Sequence, residues 1–438
     1  MQLGSWHAKR TLIAARFISR LRFTPGFIPR LPILAGFTHR VGNIAVTDFY
    51  QRSLIIHEQL RGKIGIHGKV PVKTRDDLAI AYTPGVARPC EVIAADPARA
   101  RDLTIKHNSV AVVSDGSSVL GLGNIGPYAA IPVMEGKALL FREFAGIDAW
   151  PICLDTQDVD EIVATVRRIA PVFGGVNLED FAAPRCFEVE RRLQDLGIPV
   201  MHDDQHGTAI VLLAALINAA KVTGRELTDM KVVVNGAGAA GTAIARLLRC
   251  VGHDASFCVP VADIVVCDSK GAIHSQRTDL APYKRDLLAY TNRSDRRGTL
   301  REILVEADVF IGVSKGNILS ADDVRRMADS AIVLAMANPV PEIMPDVARA
   351  AGAAVVGTGR SDFPNQVNNV LAFPGVFRGA LDCGATRIDE PMKIAAAHAL
   401  AGCVAAVDAE HILPDPLDRT VAPQVAAAVA QAWQPAAG

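Results

Sequence analysis

Three acidic side chains fall at chain turns: Glu179 and Asp180 in Asn-Leu-Glu-Asp, and Asp204 in His-Asp-Asp-Gln-His-Gly. An oxygen-only set of this kind suits Mg2+ or Mn2+ rather than zinc. Adjacent acids on a loop are more often solvated surface charge, but Asp204 follows a short apolar run and precedes a long one, which holds it near a core. His202 and His206 flank it and are read as packing or supporting groups. Lys137 ends the apolar, Gly-rich passage that begins at Asn124. Desolvation and a nearby cation would lower its pKa toward neutrality and fit it for base catalysis, although a lysine there could also run along its stem to solvent. Tyr82, in Ala-Tyr-Thr-Pro-Gly-Val, likewise stands on a turn, where half-buried packing is the plainer role.

The pattern G-x-G-x-x-G occurs twice, so the bare pattern decides little. Gly121 to Gly126 follows a polar turn and leads into Pro127. Gly236-Ala237-Gly238-Ala239-Ala240-Gly241 follows Lys-Val-Val-Val-Asn directly and opens an Ala-rich helix, which is the context a pyrophosphate needs: a tight turn, a close backbone and a helix N-terminus. The dinucleotide is therefore expected at the second. Asp268 ends the next strand, where a carboxylate accepts hydrogen bonds from ribose hydroxyls and favours NAD. Lys270, Lys284 and Arg285 lie close by in sequence and could receive a 2′-phosphate instead, so NAD and NADP both remain open.

These residues need positioning elements. Ser109–Val113, Ile147–Leu154 and Ile198–Met201 read as buried strands, with helical spacing over Asp158–Phe173 and Phe187–Leu196 between them. A second unit follows from Gly207: a long apolar helix Thr208–Lys221, strand Lys231–Asn235, helix Thr242–Cys250, then strands Ile264–Cys267, Val309–Gly312, Ala331–Leu334 and Ala354–Gly357. Strands alternating with helices imply parallel sheets. The expected fold is α/β with two domains: a basic extension over 1–47, a substrate and catalytic α/β domain over 48–206, and a doubly wound Rossmann-type NAD(P)-binding domain with C-terminal helices over 207–438.

The chain has 438 residues, more than one hydrophobic core usually serves. Acidic and basic side chains balance at 46 each, which speaks against a nucleic-acid binder. Eight single cysteines without C-x-x-C spacing are expected to be reduced thiols in a reducing compartment. No apolar run reaches the roughly 18 residues of a membrane span, Ala209 to Ala220 being the longest candidate, so a cytoplasmic protein with no membrane partner is expected. No acidic residue precedes Asp48, whereas seven Lys and Arg do. If that Arg-rich start is a transit peptide, the location becomes the mitochondrial matrix.

Taken together, Ala-Tyr82-Thr-Pro-Gly-Val-Ala, Gly-Leu-Gly-Asn-Ile-Gly with Glu-Gly-Lys137, Asn-Leu-Glu179-Asp180, His-Asp203-Asp204-Gln-His-Gly-Thr-Ala, Asn-Gly-Ala-Gly-Ala-Ala-Gly, Ala-Asn338-Pro-Val-Pro-Glu and Asn368-Asn369-Val-Leu-Ala-Phe-Pro-Gly make a chain that resembles the short bacterial type of malic enzyme, from about Asp48 nearly to the C-terminus. The resemblance implies oxidation of (S)-malate to pyruvate and CO2 with NAD or NADP and Mg2+ or Mn2+, in a homodimer. It implies that Lys137 takes the C2 hydroxyl proton with Asp203 beside it, and that Glu179, Asp180 and Asp204 hold the metal. Tyr82 would protonate the enolate, and Asn338 and Asn369 would bind substrate carboxylate or nicotinamide groups. Ser118 stands where many relatives have an arginine for a substrate carboxylate, which leaves that cation unassigned. The acyltransferase-like extension of some bacterial forms is not expected. A malolactic enzyme yielding lactate, and a catalytically silent NAD-sensing protein, are the competing readings.

Overall fold

The structure, a computed structural model, describes residues 49–252 and 258–435; the basic extension expected over 1–47 lies outside them. The chain divides after Ile56, and the unit that starts at His57 holds both sheets. Three helices come first: α1 (Phe49–Leu60), α2 (Arg75–Ala81) and α3 (Ala87–Ala95). Thr74 and Asp77 form a capping box at the start of α2. None of the three buries a side chain.

The first sheet has strand order β2-β1-β3-β4, with β1 (Ser109–Ser114), β2 (Asp148–Cys153), β3 (Gly175–Leu178) and β4 (Val200–His202) all parallel. Its central strands are apolar on both faces because helices cover both. From β1 the chain passes into α4 (Gly126–Ala145), which returns it to β2. The Gly-rich passage before Lys137 is therefore helical. Pro127 sits in its first turn, and Pro132 lies on its exposed side. Ala130, Met134, Lys137, Ala138 and Phe141 form its buried stripe at helical spacing, and left-handed Gly146 ends it. Helices α5 (Val159–Ile169) and α6 (Arg185–Leu193) complete this half.

Strand β4 runs straight into α7 (Asp203–Thr223), which continues without a break across residue 207. This helix is long and apolar enough to cross a membrane, more than the apolar runs suggested, but 67% of its apolar window is buried inside the fold. The second sheet has order β10-β9-β8-β5-β6-β7. Its strands β5 (Lys231–Asn235), β6 (Asp263–Asp268), β8 (Val309–Gly312), β9 (Ile332–Ala335) and β10 (Val355–Thr358) are parallel, and β7 (Gly271–Ala272) is antiparallel at the edge. Helix α8 (Ala239–Leu248) links β5 to β6. Strand order reverses between β5 and β8, the switch point where doubly wound sheets open a crevice at their carboxyl ends. Helices α9 (Phe373–Asp382), α10 (Glu390–Gly402) and α11 (Val421–Ala432) follow. Phe373 and Phe377 of α9 pack edge-on against Phe141 of α4, which ties the C-terminal helices to the lysine-bearing helix.

The expectation of eight free thiols needs correction. Cys250 and Cys258 are joined by a disulfide, their Cα atoms 5.8 Å apart. Single cysteines eight positions apart carry no spacing signal for this, since only the fold brings them together. Burial pushes the thiols of Cys186 and Cys267 up to about 12, so hardly any thiolate forms at neutral pH. Native protein treated with iodoacetamide at pH 8 should modify exposed Cys90 first. Cys186 and Cys267 should react only after unfolding, and Cys250 and Cys258 only after reduction. Peptide mass spectrometry reads the order, and early labelling of Cys267 would contradict the packing around β6.

Candidate active site

Lys137 is held where α4, β3 and α7 meet. Its Nζ lies 2.6 Å from Asp203 Oδ2 and 2.8 Å from Glu179 Oε1, and all three side chains are nearly sealed from solvent. The Phe373 ring stands 4.1 Å below the ammonium. Asn369, just before α9, donates its amide to the same Asp203 oxygen. Asp203 stands beside Lys137 as the resemblance implies, whereas Glu179, expected only as a metal ligand, is a second partner of the lysine. Burial opposes its charge, yet Asp203 and Glu179 outweigh burial and hold the Lys137 pKa above its ordinary value. The drop toward neutrality was expected with a cation nearby, whereas Asp203 and Glu179 alone against the amine push the other way.

The acids themselves are under strain of charge. Glu179 follows β3, with one oxygen accepting from Asn177 Nδ2 at 2.8 Å. Asp180 comes next in the left-handed region, φ 59°, and its N–H donates to Asp204 Oδ2 at 2.8 Å. Asp203 and Asp204 form the first turn of α7 rather than the chain turn the sequence suggested, and a helix N-terminus favours negative charge there. Burial comes first among the causes that push these carboxyls up: Glu179 and Asp203 to about 7, Asp180 to about 9 and Asp204 to about 6. Asp180 Oδ2 and Asp203 Oδ1 have no hydrogen-bond partner among the described residues. Ligand atoms of Glu179, Asp180 and Asp204 lie within 4.8 Å of one another. Crowded, desolvated, under-satisfied oxygens fit a hard divalent cation.

Supporting groups surround this core, among them His202 and His206, which read in the sequence as packing or supporting groups. Glu190 of α6 is buried and accepts from the His202 backbone at 2.8 Å and Gln205 Nε2 at 3.0 Å, and it meets His206 Nε2 at 3.0 Å. His206 is thus engaged away from the acids. Burial pushes the His202 imidazole down to about 4, so it stays neutral, 3.6 Å from Asp204. A Cβ on Gly207 would lie 1.9 Å from Asp203 Oδ1, so only glycine leaves that carboxylate its place. Asp115 pairs with Arg185 at 2.9 Å, and Ser118 donates its N–H to the Asp180 carbonyl at 2.9 Å. His202, Gln205, His206 and Gly207 lay inside a motif already singled out, and Ser118 had been noted, whereas Glu190, Asp115 and Arg185 carried no such signal.

Two predicted residues lie elsewhere. Asn338 follows β9, exposed, with its carbonyl 2.6 Å from where a Cβ on Gly121 would stand, so the first glycine loop packs on it. Tyr82 is 68% exposed, and neither it nor any other described residue before β1 is among the partners of Lys137.

The second glycine loop has dinucleotide-binding geometry. Gly236 packs against the Val313 carbonyl, and a Cβ on Gly241 would lie 1.7 Å from the Gly236 carbonyl, so helix and strand approach as closely as backbones allow. At Gly238 nothing stands within 4 Å, and no side chain caps α8, which leaves amide donors facing open space. Asp268 ends β6 as expected, but its oxygens are already engaged. Arg277 takes both, at 2.7 and 3.2 Å, and Lys284 lies at 2.8 Å. Despite partial burial these cations hold the Asp268 carboxyl down at about 2. Arg277 lies in the loop after β7, with no motif to announce it.

Comparison with known proteins comes to the same place. Residues 61–194 match the family model described as malic enzyme, N-terminal domain, and residues 205–434 the model described as malic enzyme, NAD binding domain. A bifunctional malic/malolactic enzyme of Bacillus subtilis is 55% identical over 386 residues, 87% of this chain and 92% of that one. An NAD-dependent malic enzyme of Geobacillus stearothermophilus is 52% identical, covering 90% and 80%. An NADP-dependent malic enzyme of Escherichia coli is 45% identical over 87% of this chain, which spans about half (52%) of that relative. The crystal structure of an NAD-dependent malic enzyme from Thermotoga maritima superposes with a TM-score of 0.82 at 46% identity, covering 86% of this chain and 98% of that one.

With Asp268 replaced by Asn, Lys284 loses its carboxylate partner and Arg277 keeps only Asp279, at 2.9 Å, so positive charge is left over to meet a 2′-phosphate. Asp268→Asn should shift the ratio of kcat/KM for NADP over NAD upward by about tenfold, the scale of one partly screened charge pair. An unchanged ratio in side-by-side kinetics would mean that Asp268 does not face the adenosine ribose.

Proposed function

The chain belongs to the malic enzyme family, and we propose that it oxidises (S)-malate at C2 with NAD or NADP, releases CO2 and yields pyruvate. The observation that carries this reading is Lys137 paired to Asp203 and Glu179 beside the Glu179–Asp180–Asp204 oxygen cluster. A silent NAD-sensing protein has no use for such a pair.

Lys137 takes the proton of the C2 hydroxyl, and Asp203, 2.6 Å away, receives a proton from the ammonium and so keeps an amine available. Asn369 fixes Asp203 from the other side and so orients the pair. The crevice beyond Gly236–Gly241 would hold the nicotinamide that accepts the hydride. Glu179, Asp180 and Asp204 would hold a divalent cation, which would supply positive charge for the C2 oxygen and oppose the charge on Lys137. Loss of CO2 leaves an enolate, and Tyr82 gives its hydroxyl proton to C3. Asn338, exposed after β9, would bind a substrate carboxylate or nicotinamide group. We read the protein as a cytoplasmic homodimer with small-molecule partners. A malolactic activity is the second reading, because a 55% identical relative is named for both reactions. Pyruvate with net nicotinamide reduction separates the two from lactate with none.

Lys137→Ala should lower nicotinamide reduction from malate by about 10²- to 10⁴-fold, the worth of a positioned general base. NADH binding, followed by fluorescence, should be unchanged. Wild-type turnover by this variant would remove the lysine from the chemistry. Chelation should abolish turnover, with Mn2+ or Mg2+ restoring it, and Asp204→Asn should weaken Mn2+ binding measured directly by calorimetry. Restoration best by Zn2+ would contradict an oxygen-only site.

A further inference from the structure

Glu190 is a buried carboxylate that the proton and hydride transfers do not use. It belongs to α6, is 9% exposed, and lies neither among the partners of Lys137 nor in the Glu179–Asp180–Asp204 cluster. A carboxylate withdrawn from water costs stability unless donors surround it. Among the described residues its hydrogen bonds go to one short stretch of chain, His202 to His206. Oε1 accepts the His202 N–H at 2.8 Å, and Oε2 accepts from Gln205 Nε2 at 3.0 Å and meets His206 Nε2 at 3.0 Å.

That stretch is where β4 becomes α7. His202 is the residue before the helix, and its own side chain caps nothing. The start of a helix is ordinarily fixed by such a capping side chain. Here Glu190 reaches in from another helix, holding the backbone before the first turn and the side chains at the end of it. Asp203 and Asp204 are the two residues in between. Asp203 is also anchored by Lys137 and Asn369, whereas Asp204 is anchored by the Asp180 N–H at 2.8 Å, on the neighbouring loop. The placement of Asp204 therefore depends most on the turn itself.

Resting on the reading that Glu179, Asp180 and Asp204 hold the cation, we propose that Glu190 is the positioning residue of that site, clamping the first turn of α7 at both ends so that Asp204 is presented beside Glu179 and Asp180. The crowding of the acids gives the clamp its purpose. Repulsion among them works to part the first turn of α7 from the end of β3, and Glu190 opposes that separation before any cation arrives. It touches no reacting atom and acts only through the residues it holds.

Glu190→Gln keeps the shape of the side chain and an oxygen for the His202 N–H, but it sets an amide NH2 against Gln205 and His206, so one grip is lost. Glu190→Ala loses both. In the full chain, the Kd for Mn2+, measured by calorimetry without substrate, should rise about tenfold for Glu190→Gln and further for Glu190→Ala, within the roughly 10- to 100-fold that partners behind metal ligands command. Turnover should shift in the same way: half-maximal rate needs more Mn2+, while saturating Mn2+ recovers most of the wild-type kcat. NADH binding, followed by fluorescence, should be unchanged. A glutamate that serves stability alone would lower the thermal midpoint of the metal-free protein and leave Mn2+ affinity as it was, and that result in Glu190→Gln overturns the proposal. A reduced kcat that saturating Mn2+ does not recover overturns it as well. Should Glu190→Ala fail to fold, Glu190→Gln and Gln205→Ala, which removes a single donor, carry the same test. Wild-type Mn2+ affinity in Asp204→Asn would instead remove the acid cluster as the cation site, and the clamp with it, an outcome distinct from wild-type affinity in Glu190→Gln alone.

Discussion

Four carboxylates converge on one buried ammonium group, and much of the architecture exists to hold them there. Glu179, Asp180, Asp203 and Asp204 cannot all ionise beside a single Lys137 without a further positive charge, since desolvation disfavours each anion and their mutual repulsion adds to it. Such a cluster does not assemble for stability. Strand β3 fixes two acids, the first turn of α7 fixes the other two, and α4 brings the lysine against them. The aromatic contacts of α9 with α4 and the buried Glu190 beneath the β4–α7 junction close the surroundings. Removing one member of a buried pair typically costs about 3–5 kcal/mol, so the same groups that enable the reaction also make this region sensitive to mutation.

The two halves of the chemistry share a helix. Helix α7 starts at the acids and then packs along α8, which rises from the glycine loop, and along α10. Proton transfer and hydride transfer are therefore linked by one helix that packs in the cofactor-binding half and carries two of the acids at its start. Charge is managed differently at the two ends. At the lysine the acids outnumber the bases, whereas around Asp268 three cations, Lys270, Arg277 and Lys284, outnumber two carboxylates, Asp268 and Asp279. The first imbalance invites a cation and the second an anion.

Much of this was legible in the sequence because buried parallel strands are short apolar runs between turn residues, and β5 and β8 fall on the expected residues. The acid motifs and the second glycine loop carried their chemistry in their spacing. Helix α4 was not legible, because Gly126, Pro127, Pro132 and Gly136 read as breakers while its buried stripe decides otherwise. Asp203 and Asp204 were placed on a turn because the apolar run begins only at Ala209. Lys137's raised pKa, Arg277's hold on Asp268 and the exposure of Tyr82 depend on partners distant in sequence. No local pattern encodes those contacts.

Gly207 has a consequence that reaches beyond the space it leaves for Asp203. An interior glycine weakens a helix by about 1 kcal/mol relative to alanine, yet here it stands one turn from the start of a 21-residue helix that carries catalytic groups at one end and cofactor-domain packing along its body. Each added residue turns a helix by about 100° and lengthens it by about 1.5 Å. Helix α7 thus works as a phase gauge between two chemistries: it can vary in apolar side chains, but not in length. Insertions that surface loops tolerate would here swing both aspartates off the lysine while the dinucleotide loop stayed in place. Divergence within such a scaffold is therefore confined to substitution along α7, with length changes left to the loops.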